Sequence, residues 1–410
     1  MIPHALRTGA APPSVSRTER LFGAPHRLFF LAGVAQIAFA SLWWLWVLAA
    51  RVVPALWPPA SPVPDTVVHA LVMTCGFAPF FMFGFMFTAG PRWLSVLPPA
   101  PGAWRPPAIL AAASALALLP LQVAGLGGLR VAAAAYAVAW LWLLLRFVLL
   151  IRASSAPDKV HATLVAAGLA VGASCVTAFA AFGTAAHPWI ASAGVWGFLL
   201  PVFVTVCHRM IPFFTSGVVP FVTAFRPWWL LALMVGAPLM HATIAGVGLP
   251  HWTWIVDLPA AVALLLVTLR WGFVQSMRNR LLAMLHLGFV WYGTGFLLAG
   301  VGSLLVLSGG TGLGLAPLHA MTIGFASSLL LAMVTRVTCG HSGRTLAADA
   351  LTWRLFQLLQ VAAVLRVGAE LAASTWWMLA AVAFWAACMV PWCAKYAPVY
   401  WRPRADGRPD

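Results

Sequence analysis

Residues 317–344 read PLHAMTIGFASSLLLAMVTRVTCGHSGR. Between His319 and His341 the only charged side chain is Arg336, and most of the rest are apolar or small. A run of this length fits the roughly 20 residues needed to cross a bilayer's hydrocarbon core as a helix. Two imidazoles in such a run are conspicuous. Ionisable groups inside a membrane are costly and generally face a protein interior or a functional site.

The same apolar pattern returns almost without interruption from Leu28 to Met389. Hydrophobic residues make up 62% of the 410-residue chain and charged residues only 8%, with a mean hydropathy of +0.93. Soluble domains carry about a quarter charged residues, so the fold class is an all-α polytopic membrane protein. A β-barrel would need alternating segments of roughly 10 residues, which are absent. The runs predict about 12 transmembrane helices. Their expected positions are 28–50, 67–90, 107–127, 131–151, 160–185, 189–214, 227–248, 252–272, 284–307, 316–339, 350–373 and 376–396.

The formal charge of +16 raises nucleic acid as a partner, but its distribution argues otherwise. Arginines and lysines gather before the first run, after the last and in every second connection, from Arg92 and Arg105 to Arg336 and Arg344. The alternate connections carry little beyond Arg51 and Arg130. That bias places both termini in the cytoplasm with an even span count. It orients the chain towards lipid and gives no reason to invoke nucleic acid. The first apolar run, about 23 residues, is longer than a signal-peptide core and reads as a membrane helix. We therefore expect a cytoplasmic, disordered tail over 1–25, one membrane domain over 26–398 and a cytoplasmic tail over 399–410.

The six cysteines fall within spans or at their cytoplasmic ends and imply no external disulfide framework. CxxCH is absent, which excludes a covalent c-type haem by that signature. GxxxxGK[ST] and HExxH are also absent, which removes nucleotide hydrolysis by a P-loop and zincin chemistry.

The histidines sort by depth. At the outer level are His69, His319 and His241, with Met73 one turn from His69 on the same face and Asp257 placed to orient an imidazole. At the inner level are His286, His341 and His208, accompanied by Arg209, Arg336 and Arg344. Neutral imidazole is the commonest metal ligand and an axial ligand of haem iron. Histidines from different helices at one depth are what a bundle needs to hold such a group. His187 and His251 in outer connections, and His26 and His161 beside helix-end arginines, read as structural. Arg366 and Glu370 read as an i,i+4 pair. His319 and His341 are 22 residues apart, about 33 Å along a helix, so they serve two levels on one inward stripe.

The stretches HALVMTCGFAPFFMFGFMFTAGPRW (69–93), RMIPFFT (209–215), LHLGF (285–289) and LHAMTIG…TRVTCGHSGR (318–344) resemble the NnrS family. The resemblance implies a twelve-span bacterial inner-membrane protein that contains haem and copper and belongs to the response to nitric oxide and nitrosative stress. It implies non-covalent, b-type haem and favours His69, His319, His286 and His341 as cofactor residues, with Arg336 and Arg344 in support. The family pattern HxHEM is met by His69 and Met73, while Leu71 and Val72 stand where it has a second histidine and a glutamate. That departure bears on copper. An oxidoreductase acting on nitric oxide, with an unknown electron-transfer partner, is one form of this reading. The alternatives are a transporter or channel with a histidine-lined path and an assembly factor for a respiratory complex.

Overall fold

A computed structural model describes residues 16–57 and 61–408. It is helical throughout, with no strand among the described residues. The long rods are α1 (Pro25–Val52), α2 (Asp65–Leu94), α3 (Pro101–Leu121), α4 (Gly125–Ala153), α5 (Val160–Phe182), α6 (187–216), α7 (Trp228–Gly246), α8 (Trp254–Arg270), α9 (Arg280–Leu307), α10 (Ala316–His341), α11 (Ala350–Leu371) and α12 (Thr375–Tyr396). Among the described residues, ten helices are long and apolar enough to cross a membrane. In that count α5 and α6 form one segment and α8 is left out. The twelve-span expectation divides the first between 185 and 189, close to Gly183, where φ is +61°, and adds the second.

Starts and stops follow local chemistry. Pro25, Pro101 and Pro317 sit at first turns, where a missing N–H costs nothing. Asn279 caps α9 by accepting from the Leu281 and Leu282 amides at 3.0 and 3.2 Å. Asp349 caps α11 through the Thr352 amide at 2.9 Å. Such side chains satisfy donors that the first helical turn leaves open.

Short connections make successive rods antiparallel neighbours. The most extensive packing joins α11 to α12, α8 to α9, α3 to α4, α4 to α5 and α12 to α1. Inside this ring lie α2 and α10, whose most apolar windows are 83% and 72% buried, against 33% for α7. With α6 they form the centre, and each carries a π-helical stretch: 72–76, 193–199 and 320–327. Such stretches are rare and often mark functional sites.

Both described termini lie at one end of the bundle. Arg27 donates from Nη1 to the carbonyls of Tyr400 and Arg402 at 3.3 and 3.2 Å. The segment after Tyr396 is packed rather than a free tail: Arg404 Nη1 donates to the His341 carbonyl at 2.8 Å, and the Ala405 amide to Ser342. The expectation of a disordered 1–25 also needs correction. Residues 1–15 lie outside the described residues, but Arg17–Leu21 is a helix closed by a capping box between Ser16 and Glu19. Four residues of favourable pattern sufficed where composition suggested disorder.

Candidate cofactor cavity

The three π-bearing rods, together with α1, α11 and α12, enclose a cavity of about 600 Å³ near the end opposite the termini. Its walls are mostly apolar and aromatic, including Trp44, Phe77, Phe203 and Trp385. His69, His187 and His319 open on it, as do Met73, Arg51, Arg366 and Glu370. On α6 the lining residues His187, Ala191, Val195 and Leu199 recur every fourth position, a single helix face.

His69 lies one turn before the first π stretch. Its ring stacks on Trp44, with centroids 3.9 Å apart and planes 24° apart. Nδ1 is buried without a hydrogen-bond partner, which leaves Nε2 as the nitrogen that can meet a ligand. His319 is more fully determined. Its Nδ1 lies 3.0 Å from the Leu315 carbonyl, which can only accept, so Nδ1 carries the proton. In the neutral ring Nε2 then keeps its lone pair.

The residue whose carbonyl holds His319 is itself anchored through its amide. Glu370 Oε2 accepts from the Leu315 amide at 3.3 Å, and its Oε1 pairs with Arg366 Nη2 at 2.7 Å. Gly314, at φ +52°, lets the chain pass Glu370 closely: a Cβ there would lie 2.6 Å from Oε2. Arg51 lies above the Trp44 ring at 5.5 Å and 3.7 Å from Asp65.

The other outer candidate, His241, faces elsewhere. Its Nδ1 donates to both carboxylate oxygens of Asp257, at 2.9 and 3.0 Å, and its ring stacks on Trp196 at 3.8 Å. Trp196 lies on α6 but off the cavity face, so depth was matched and azimuth was not.

The inner level separates into three places. His208 donates from Nε2 to the Pro227 carbonyl at 3.2 Å and accepts at Nδ1 from His161 Nε2 at 3.0 Å. His341 packs on His26, with centroids 4.6 Å apart. His286 is fully buried and donates from Nε2 to the Thr215 hydroxyl at 3.0 Å, because that hydroxyl donates to Ile211. Its Nδ1 has no partner. Two of the arginines are engaged locally. Arg209 lies over Trp93 at 4.7 Å and 3.9 Å from Asp158, and Arg336 lies over Phe214 at 3.8 Å. The main-chain amide of Arg344 donates to the Cys339 carbonyl at 3.0 Å, but its side-chain Nη1 is buried with no hydrogen-bond partner. Among the described residues no three His, Cys, Asp or Glu side chains gather as a metal ion requires.

Three residues that face the cavity, and one contact between histidines, were missed in the sequence. His187 begins a rod rather than a loop, and Arg366 and Glu370 face the cavity. His161 pairs with His208. A signal existed for the charged pair, since Glu370 is one of only two acids in the predicted spans and membrane charges seldom serve packing alone.

A family model described as NnrS protein matches residues 20–404, nearly the whole chain. No curated protein matches it.

Proposed function

Because the chain belongs to the NnrS family and is a multi-pass helical membrane protein, we propose that its central cavity holds a b-type haem between α2 and α10. The observation that carries this reading is the meeting of His69 and His319, from two rods, on one cavity of about 600 Å³. That volume falls within the range of small-molecule and cofactor sites. Flat aromatic walls and two guanidinium groups suit a planar molecule with carboxylates.

His319 would ligate through Nε2, with the Leu315 carbonyl holding the ring and raising its basicity. Trp44 sets the plane of His69. Bound haem would supply a redox-active iron able to take a diatomic gas. The walls are mostly apolar, and a smaller apolar cavity of about 70 Å³ shares Ala78, Phe203 and Leu330 with the large one. An uncharged molecule such as nitric oxide would meet little desolvation cost on that path. We place the protein in a bacterial inner membrane, in the nitric oxide response, with the termini on the cytoplasmic side by the charge bias. For a copper ion the cavity offers His69, His187, His319 and Met73, while Leu71 and Val72 offer no donor.

The test is the visible spectrum of protein purified in detergent from haem-replete cells. We expect a Soret band that is lost or shifted in His69→Ala and in His319→Ala but kept in His208→Ala and His286→Ala. A wild-type protein without the band sinks the reading. Substrate flux in liposomes that survives haem depletion would favour a transporter.

A further inference from the structure

The cavity has an unbalanced charge. Among the side chains that line it, those ordinarily charged are Arg51, Arg366 and Glu370, so with neutral imidazoles its lining carries one net positive charge. Arg51 is loosely compensated by Asp65 at 3.7 Å, in a pair whose side chains are 43% and 23% exposed. Arg366 differs, because its side chain is 11% exposed. Glu370 occupies Nη2 alone, and Nη1 is buried with no hydrogen-bond partner. An unmet donor on a buried cation is expensive, and apolar walls strengthen its pull on an opposite charge.

We propose that the cavity binds an anionic oxygen group against Arg366, with Arg51 adding charge from the rim. The class is a carboxylate or a small oxyanion, because guanidinium N–H groups pair with anionic oxygens and Nη1 is the terminal nitrogen that Glu370 leaves open. Glu370 remains in place, since it uses the other terminal nitrogen and anchors Leu315. Two sources carry this chemistry. One is a carboxylate borne by a cofactor, which rests on the haem reading above; the other is a free oxyanion such as nitrite, which does not.

Protein made in a haem-deficient host and placed in nanodiscs separates the two. One arm titrates sodium nitrite calorimetrically. The other compares binding of haem with that of haem dimethyl ester, whose carboxylates are masked. We expect either nitrite binding that weakens at least tenfold in Arg366→Gln, or at least tenfold preference for haem over its ester that disappears in that variant. Because Arg366→Gln leaves Glu370 unpaired, Arg366→Gln/Glu370→Gln is the second variant, checked by helical circular dichroism and elution volume. The proposal is overturned if the double variant keeps wild-type nitrite affinity and wild-type ester discrimination, or if wild type shows neither. Equal binding of haem and ester with no nitrite binding would remove the anion site and leave the haem reading standing. Nitrite binding lost in Arg366→Gln, with neither haem nor ester bound, would do the reverse.

Discussion

Gly324 sits in the π stretch of α10, between the cavity-lining residues Ile323 and Ala326, with its back to α9. A Cβ at this position would lie 2.4 Å from Trp291 Cδ2 and 2.5 Å from Cγ. Ordinary carbon contacts begin near ~3.5 Å, so the indole would have to retreat by about 1 Å. It is not free to do so. Trp291 Nε1 donates to Gln360 Oε1 at 2.9 Å, and Gln360 Nε2 donates to Ser328 Oγ at 2.8 Å. The clash therefore strains a network that ties α9, α10 and α11. Overpacking costs about 1–3 kcal/mol, and loss of one of these hydrogen bonds a further ~0.5–1.5 kcal/mol. Gly324→Ala is expected to destabilise the protein by roughly 2–4 kcal/mol. Helix propensity alone gives the opposite sign, a gain of up to ~1 kcal/mol, so the sign decides between the accounts. Reversible unfolding in mixed micelles, followed by far-ultraviolet circular dichroism, measures it. In a Trp291→Ala background the penalty should vanish. A Gly324→Ala protein as stable as wild type would refute the reasoning.

Two other perturbations are equally direct. Asp257 is fully buried with His241 as its partner; His241→Ala should cost about 3–5 kcal/mol by leaving an unpaired buried charge, while His241→Leu/Asp257→Leu should recover most of it. A loss below ~1 kcal/mol in the single variant would mean the pair carries little of the packing. Asp349, outside the spans, is held at about 2: partial burial pushes its carboxyl up, but the Lys395 ammonium and the Thr352 amide outweigh that. A depressed carboxylate contributes stability above its unfolded value and loses it as pH falls through about 2. Its side chain is 61% exposed, so the contribution is under ~1 kcal/mol. Asn at 349 should keep the cap and abolish that pH dependence, whereas Ala should also cost about 1 kcal/mol, both read from unfolding curves at pH 2–5.

The helices were readable because apolar content and capping chemistry vary along one dimension. Side-chain azimuth is a different matter. A forecast of 100° per residue puts His319 and His341 on one stripe only if the helix between them stays α-helical. The stretch 320–327 is π-helical and turns by less per residue, so the forecast fails within the segment that announced the fold. The same limit explains His241, which has the depth of His69 but faces Asp257. Met73 was found because its four-residue offset from His69 keeps it on the same wall. His187 was missed because the expected boundary at 185–189 left it in the connection, two residues before the expected start of a rod that in fact begins at His187.

Hydrogen bonding separates the imidazoles more sharply than depth. Metal-ligating imidazoles almost always have one nitrogen held by the protein and the other open; His69 departs from this, held by the Trp44 ring with Nδ1 unbonded. His208 uses both nitrogens on the protein, Nε2 on Pro227 and Nδ1 on His161. His241 has Nδ1 held by a carboxylate but lies off the cavity. His286 has Nε2 held by Thr215 and Nδ1 unpartnered, yet it is fully enclosed and is not among the lining of the large cavity. Only a rearrangement of α6 and α9 would admit a large planar group beside it. His319 meets both conditions where there is room, through the carbonyl of Leu315, a residue whose amide Glu370 holds. Glu370→Gln should therefore disturb the environment of His319 without touching the ring. If haem binds there, its absorption maximum should shift in that variant, and an unchanged spectrum would cut the link between the charged pair and the ligand.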